Sequence, residues 1–67
     1  MRPGLLTDEA GTGHVRVAES TGRGSIPRAD VAAVLVALLE TPATGGVTFE
    51  LISGDTPIED AVLTLGR

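Results

Sequence analysis

Residues 31–39 of this chain form an unbroken apolar run of nine residues, VAAVLVALL, and few folds can accommodate it. A helix on the surface of a small domain needs one apolar stripe and one wet face. This run has no polar side, so as a helix it needs cover nearly all round. A chain of 67 residues with a single Phe and neither Tyr nor Trp has little bulk with which to supply that cover. The segment therefore predicts burial against something larger, either more polypeptide or a second copy.

At this length a single core is marginal and needs help from disulfides, metals or association. The chain has no Cys and one His, His14, which removes disulfides and thiolate metal sites and leaves association. Its net charge of -4, with five Arg and no Lys, opposes attraction to nucleic acid or anionic membrane, so neither partner is expected. The nine-residue run is far short of the roughly 20 residues that span a bilayer. Residues 1–4 lack the order of a secretory signal, which makes the cytoplasm the expected compartment.

Residues 5–13 mix acidic and small residues without a period and read as a mobile loop. Residues 14–19 alternate and suit a half-buried strand, and residues 20–24 carry turn chemistry with Gly22 and Gly24. Ser25 and Ile26 suit a short edge pairing. A helix is predicted from Pro27 to Glu40, with Asp30 favourable in its first turn, ending at Thr41 because the residue before Pro42 leaves the helical region. Residues 42–46 form a turn. Residues 47–53 are β-branched and aromatic, with Val47, Phe49 and Leu51 on one face of a strand. Thr56, Pro57, Ile58 and Glu59 make a capping box for a second helix to about Leu65, which buries Ile58, Ala61, Val62 and Leu65.

The chemistry-bearing residues form no complete catalytic set. His14 reads as a surface residue without a nucleophile beside it, and Asp8, Glu9 and His14 read as solvated loop charges rather than metal ligands. Gly11, Thr12 and Gly13 open like a dinucleotide fingerprint, but no strand precedes them, no helix follows, and Arg16 holds the third glycine's place. Glu59 and Asp60 are explained by capping and the helix dipole. Arg28 and Asp30 read as a charge pair in the opening turn of the first helix.

Three segments together, residues 2–8 (RPGLLTD), 24–32 (GSIPRADVA) and 48–54 (TFELISG), resemble the C-terminal third of atypical short-chain dehydrogenase/reductase proteins. This is the NAD(P)H-binding or NmrA-like group, which takes in flavin and biliverdin reductase-like enzymes and sugar-nucleotide epimerase relatives. The resemblance implies an α/β fold: a C-terminal fragment of a Rossmann-like doubly wound sheet, ordered strand, helix, strand, helix, as one segment over residues 1–67. In the family the Arg-Pro-Gly follows a sixth parallel strand, so this chain would begin where that strand is ending, and the apolar helix would pack on a sheet built by the missing N-terminal part.

The resemblance also implies an NAD(P) cofactor, with Pro3, Gly4 and Leu5 near the nicotinamide and residues 7–13 bordering the substrate pocket. The family's glycine-rich phosphate loop and Tyr-Lys pair have no counterpart here, so this chain alone is expected to bind no cofactor and to lack activity. The expected partner is the missing N-terminal Rossmann half or, if the chain is a self-associating structural module, a second copy that covers the apolar helix. An independent small enzyme is the least supported reading.

Overall fold

The computed structural model describes residues 1–41 and 48–65. The chain runs β1 (Arg2–Pro3), β2 (Leu5–Thr7), β3 (His14–Ala18), β4 (Ser25–Pro27), α1 (Arg28–Leu39), β5 (Glu50–Ser53), β6 (Thr56–Pro57) and α2 (Ile58–Leu65). The strand, helix, strand, helix order expected from the sequence is present, with short strands added at the joints.

Four strands form one sheet in the order β1-β5-β3-β6, and β2 and β4 form a second, two-stranded sheet. β1 runs parallel to β5, with Arg2 opposite Glu50 and Pro3 opposite Leu51. β3 is antiparallel to β5 on one side and to β6 on the other. Alternation along these strands sends Val15, Val17 and Leu51 to the core face, and Arg16, Glu50 and Ile52 to the opposite one. The segment expected to be a loop from Leu5 starts instead as strand β2, which pairs in parallel with β4 from Leu5 opposite Ser25 to Thr7 opposite Pro27. Local sequence did not signal this because its partner lies 20 residues away.

The core gathers Val15, Ile26, Val34, Phe49, Leu51, Ile58, Ala61 and Val62, with Val17, Val31, Ala37, Leu38 and Leu65 packed against it. Each fully buried aliphatic side chain is worth about 1.5–3 kcal/mol. The α2 face expected from the sequence is thus the face that packs. Phe49 is buried though it lies just before β5, while Val47 and the turn expected at residues 42–46 lie outside the described residues.

α1 keeps the expected bounds: Pro27 is its N-cap and Glu40 its C-cap. Its surroundings differ from expectation. Of its apolar residues only Val34 is fully buried, while Ala32, Leu35, Val36 and Leu39 stay exposed at a spacing of three and four that makes one stripe. Leu39 is 85% exposed. The helix that needed cover all round receives it on one side only. At α2 the expected capping box is not built: Thr56 and Pro57 pair with Val15 and His14 in β6, and the first helical N–H, that of Ile58, donates to the Gly13 carbonyl at 3.1 Å.

Candidate functional site

β2 and β4 end side by side at Thr7 and Pro27, and α1 starts at once from β4. The loop that follows β2 therefore passes the N-terminus of α1. Two side chains of α1 hold it there. Arg28 Nε donates to Asp8 Oδ1 at 2.9 Å, an exposed contact. Asp30 lies in the first turn of α1 and is 2% exposed, the only buried charged residue among those described. Its Oδ1 accepts the Thr12 N–H at 3.0 Å and the Gly13 N–H at 2.9 Å, and its Oδ2 accepts the Thr12 N–H at 3.0 Å. The Thr12 hydroxyl lies 3.2 Å from Oδ2 as well. Arg28 and Asp30 are thus not the charge pair their spacing predicted: successive side chains on a helix point in different directions, and each meets a separate part of the loop.

Burial opposes the charge on Asp30. The N–H groups of Thr12 and Gly13, then the Thr12 hydroxyl and the nearby His14, outweigh it and hold the carboxyl below the usual carboxylate range. Because Gly13 also accepts from Ile58, the short segment at residues 12–13 ties the starts of both helices together. Just before this loop the Thr7 hydroxyl is buried without a hydrogen-bond partner among the described residues.

Pro3 and Gly4 line a small cleft of about 120 Å³ with Arg2, Thr21, Gly22, Glu50 and Ile52. Glu50 Oε1 accepts the Thr21 N–H at 2.8 Å, which fixes the turn at residues 20–24 over the sheet. Leu5 is outside that lining and 74% exposed. Gly4 N–H donates to Leu51 and Leu5 N–H to Gly24, while Pro3 has no N–H. The backbone of these three residues therefore has no donor left for a dinucleotide phosphate. In the Gly11, Thr12, Gly13 segment the last two amides are committed to Asp30. Neither segment presents the set of free N–H groups that a phosphate cradle needs. A second, larger groove of about 550 Å³ runs between α1 and α2, floored by Ala33, Val36, Ala37 and Ile58 and rimmed by Glu40, Glu59 and Asp60.

Among the described residues no cluster of three or more His, Cys, Asp or Glu could hold a metal ion. No helix among them is long and apolar enough to cross a membrane. Sequence reasoning missed Asp30. Its partners lie 17 and 18 residues earlier, and nothing in the local pattern distinguishes a helix-opening Asp that serves the dipole from one that clasps a distant loop.

Comparison with known proteins completes the picture. The sequence profile of the NAD(P)H-binding family matches residues 1–42. The chain belongs to this family. It is 45% identical over 65 residues to an uncharacterised sugar epimerase, YhfK, of Bacillus subtilis (strain 168), covering 97% of this chain and 30% of that protein. A solved structure described as an NAD-dependent epimerase/dehydratase of Bacillus halodurans superposes with a TM-score of 0.88 at 45% identity, covering 94% of this chain and 30% of the other. The oxidoreductase YlbE of Lactococcus lactis superposes with a TM-score of 0.79 at 30% identity, over 94% of this chain and 28% of its own. The chain spans about 30% of the length of such family members, and its fold is a fragment of their Rossmann-like fold.

Proposed function

We propose that this chain is the C-terminal, substrate-side portion of an NAD(P)-binding protein of the epimerase or oxidoreductase kind, acting together with an N-terminal Rossmann half. One observation carries this reading: nearly all of the chain superposes closely on under a third of an NAD-dependent epimerase/dehydratase. The topology supports it. Among the described residues β1 is an edge strand with only β5 beside it, parallel, so its outer side is a docking place for a further parallel strand. In such an assembly the N-terminal half supplies the phosphate loop, and Pro3, Gly4 and Leu5 meet the cofactor by packing rather than through backbone donors. The loop at residues 8–13 then lines the substrate side, at the carboxyl ends of the parallel strands, where open α/β sheets hold ligands. The hydride or proton chemistry belongs to NAD(P) and to residues of the other half, and the site of action is the cytoplasm.

The test is the size of the native polypeptide, by blotting cells of the source organism with an antibody against residues 7–22. A band several times heavier than 6.8 kDa that is retained on an immobilised NADP(H) analogue is expected. A band at 6.8 kDa that is not retained would refute the assignment.

A second reading is favoured by the bare stripe Ala32, Leu35, Val36 and Leu39 of α1. In it, two copies cover each other's helices as a self-associating module. Sedimentation of the 67-residue chain across a range of concentrations separates the two, since a single light species throughout leaves no dimer to explain.

A further inference from the structure

The chain's only histidine is exposed, yet it is not free to turn. His14 opens β3, and because Val15 lies opposite Ser53, the last residue of β5, His14 stands at the carboxyl end of the parallel β1 and β5 pair. Its ring Nδ1 is 2.9 Å from the Thr12 carbonyl oxygen. A carbonyl oxygen only accepts, so Nδ1 carries the proton, and in the neutral ring Nε2 is left as an acceptor. Thr12 is in turn immobilised from three sides. Its N–H is held by both oxygens of Asp30 at 3.0 Å. Its hydroxyl shares one proton between Asp30 Oδ2 at 3.2 Å and the His14 carbonyl at 3.0 Å, and accepts the His14 N–H at 3.1 Å. The neighbouring Gly13 N–H adds the 2.9 Å bond to Asp30 Oδ1.

We propose that Asp30 is a positioning residue which, through Thr12, fixes His14 in its Nδ1–H tautomer and presents Nε2 as a hydrogen-bond acceptor on the substrate-side rim. The ligand class follows from that atom: it takes a donor, such as a substrate hydroxyl. The ligand, though not the relay, rests on the reading given under Proposed function. A buried carboxylate suits the task because its shielded oxygens hold the Thr12 and Gly13 N–H groups together, and removing it releases both at once. The exposed Arg28 and Asp8 pair could not do the same, since solvent competes for both partners.

The test is ring-nitrogen NMR on the 67-residue chain, labelled with ¹⁵N-histidine, at a pH where the ring is neutral. The wild-type ring is expected to be predominantly the Nδ1–H tautomer, the reverse of an unrestrained histidine. An Nε2–H wild-type ring overturns the proposal without any variant. Asp30→Ala is expected to shift the ring to mostly Nε2–H and to speed amide exchange at Thr12 and Gly13 at least tenfold relative to Val15 and Leu51. If that variant does not fold, the isosteric Asp30→Asn is used, for which a mixture of tautomers is expected. A folded variant that keeps the wild-type tautomer refutes the relay, because loss of stability alone does not change which ring nitrogen bears the proton. This outcome is independent of the native polypeptide's size, so failure of the relay and failure of the parent assignment are read separately.

Discussion

Gly4→Ala is the most informative single substitution, because Gly4 is where one extended segment leaves β5 and joins β4. A Cβ at Gly4 falls 2.4 Å from the Gly24 carbonyl oxygen and 3.0 Å from Ile52 Cγ2. Carbon and carbonyl oxygen ordinarily stay about 3.3 Å or more apart, so the two backbones have to part by about 1 Å. The obstacle is a backbone oxygen that already accepts the Leu5 N–H at 3.0 Å, so yielding costs that bond too. Overpacking costs about 1–3 kcal/mol and a lost hydrogen bond about 1 kcal/mol, giving about 2–4 kcal/mol in all. A core in a chain this short supplies only about 3–5 kcal/mol, so the variant sits near its unfolding midpoint at 25 °C. Urea unfolding followed by circular dichroism measures the loss. Gly22→Ala is the control: Gly22 has a φ of 75° with nothing within 4 Å of an added Cβ, so only the left-handed backbone penalises it, by about 1–2 kcal/mol. If Gly4→Ala costs no more than Gly22→Ala, the close approach of β2 to β4 does not exist in solution.

Acid should weaken the fold through Asp30: its folded carboxyl lies below the usual range, so its contribution is complete above about pH 4 and disappears as pH falls through the folded value. Stability measured from pH 6 to pH 2 should fall with a slope that is absent in Asp30→Asn; equal slopes exclude the clasp. Thr7→Val, which replaces the buried and unpartnered Thr7 hydroxyl with a methyl group, should raise stability by about 1 kcal/mol in the same urea assay, and a loss of that size would mean the hydroxyl has a partner. Asp8→Asn breaks only an exposed ion pair and should change stability by less than about 0.5 kcal/mol. Leu35→Asp alters a residue 48% exposed in the single chain, so it should leave the isolated fold intact; if the α1 stripe joins two copies, it abolishes their association by sedimentation.

The positions of α1, β3 and α2 were legible in the sequence because each depends on neighbours within a few residues. An alternating run makes β3, a proline ahead of a long apolar run starts α1, and apolar residues three and four apart give α2 its packed face. The resemblance carried by residues 2–8, 24–32 and 48–54 led to the NAD(P)H-binding family, whose profile covers the first two of these segments. The opening turns of both helices were misread for the opposite reason. Thr56 and Pro57 have the sequence of a helix cap, yet their pairing with β3 draws them into the sheet, and the Gly13 carbonyl takes over at Ile58. Asp30 looks like a residue serving its own helix, and its partners are on another segment.

The sequence by itself therefore determined the elements with short-range causes, which are α1, β3 and α2, and the excess of apolar surface on α1. Tertiary structure alone decided which parts of the chain lie side by side. It paired β2 with β4, turned Asp30 from a helix-end charge into the anchor of a loop, and tied the turn at residues 20–24 to Glu50 of β5. The physical reason is that hydrogen bonds and burial act over ångströms of space, while the residues they join are separated by 17 to 29 positions of chain that no local pattern spans.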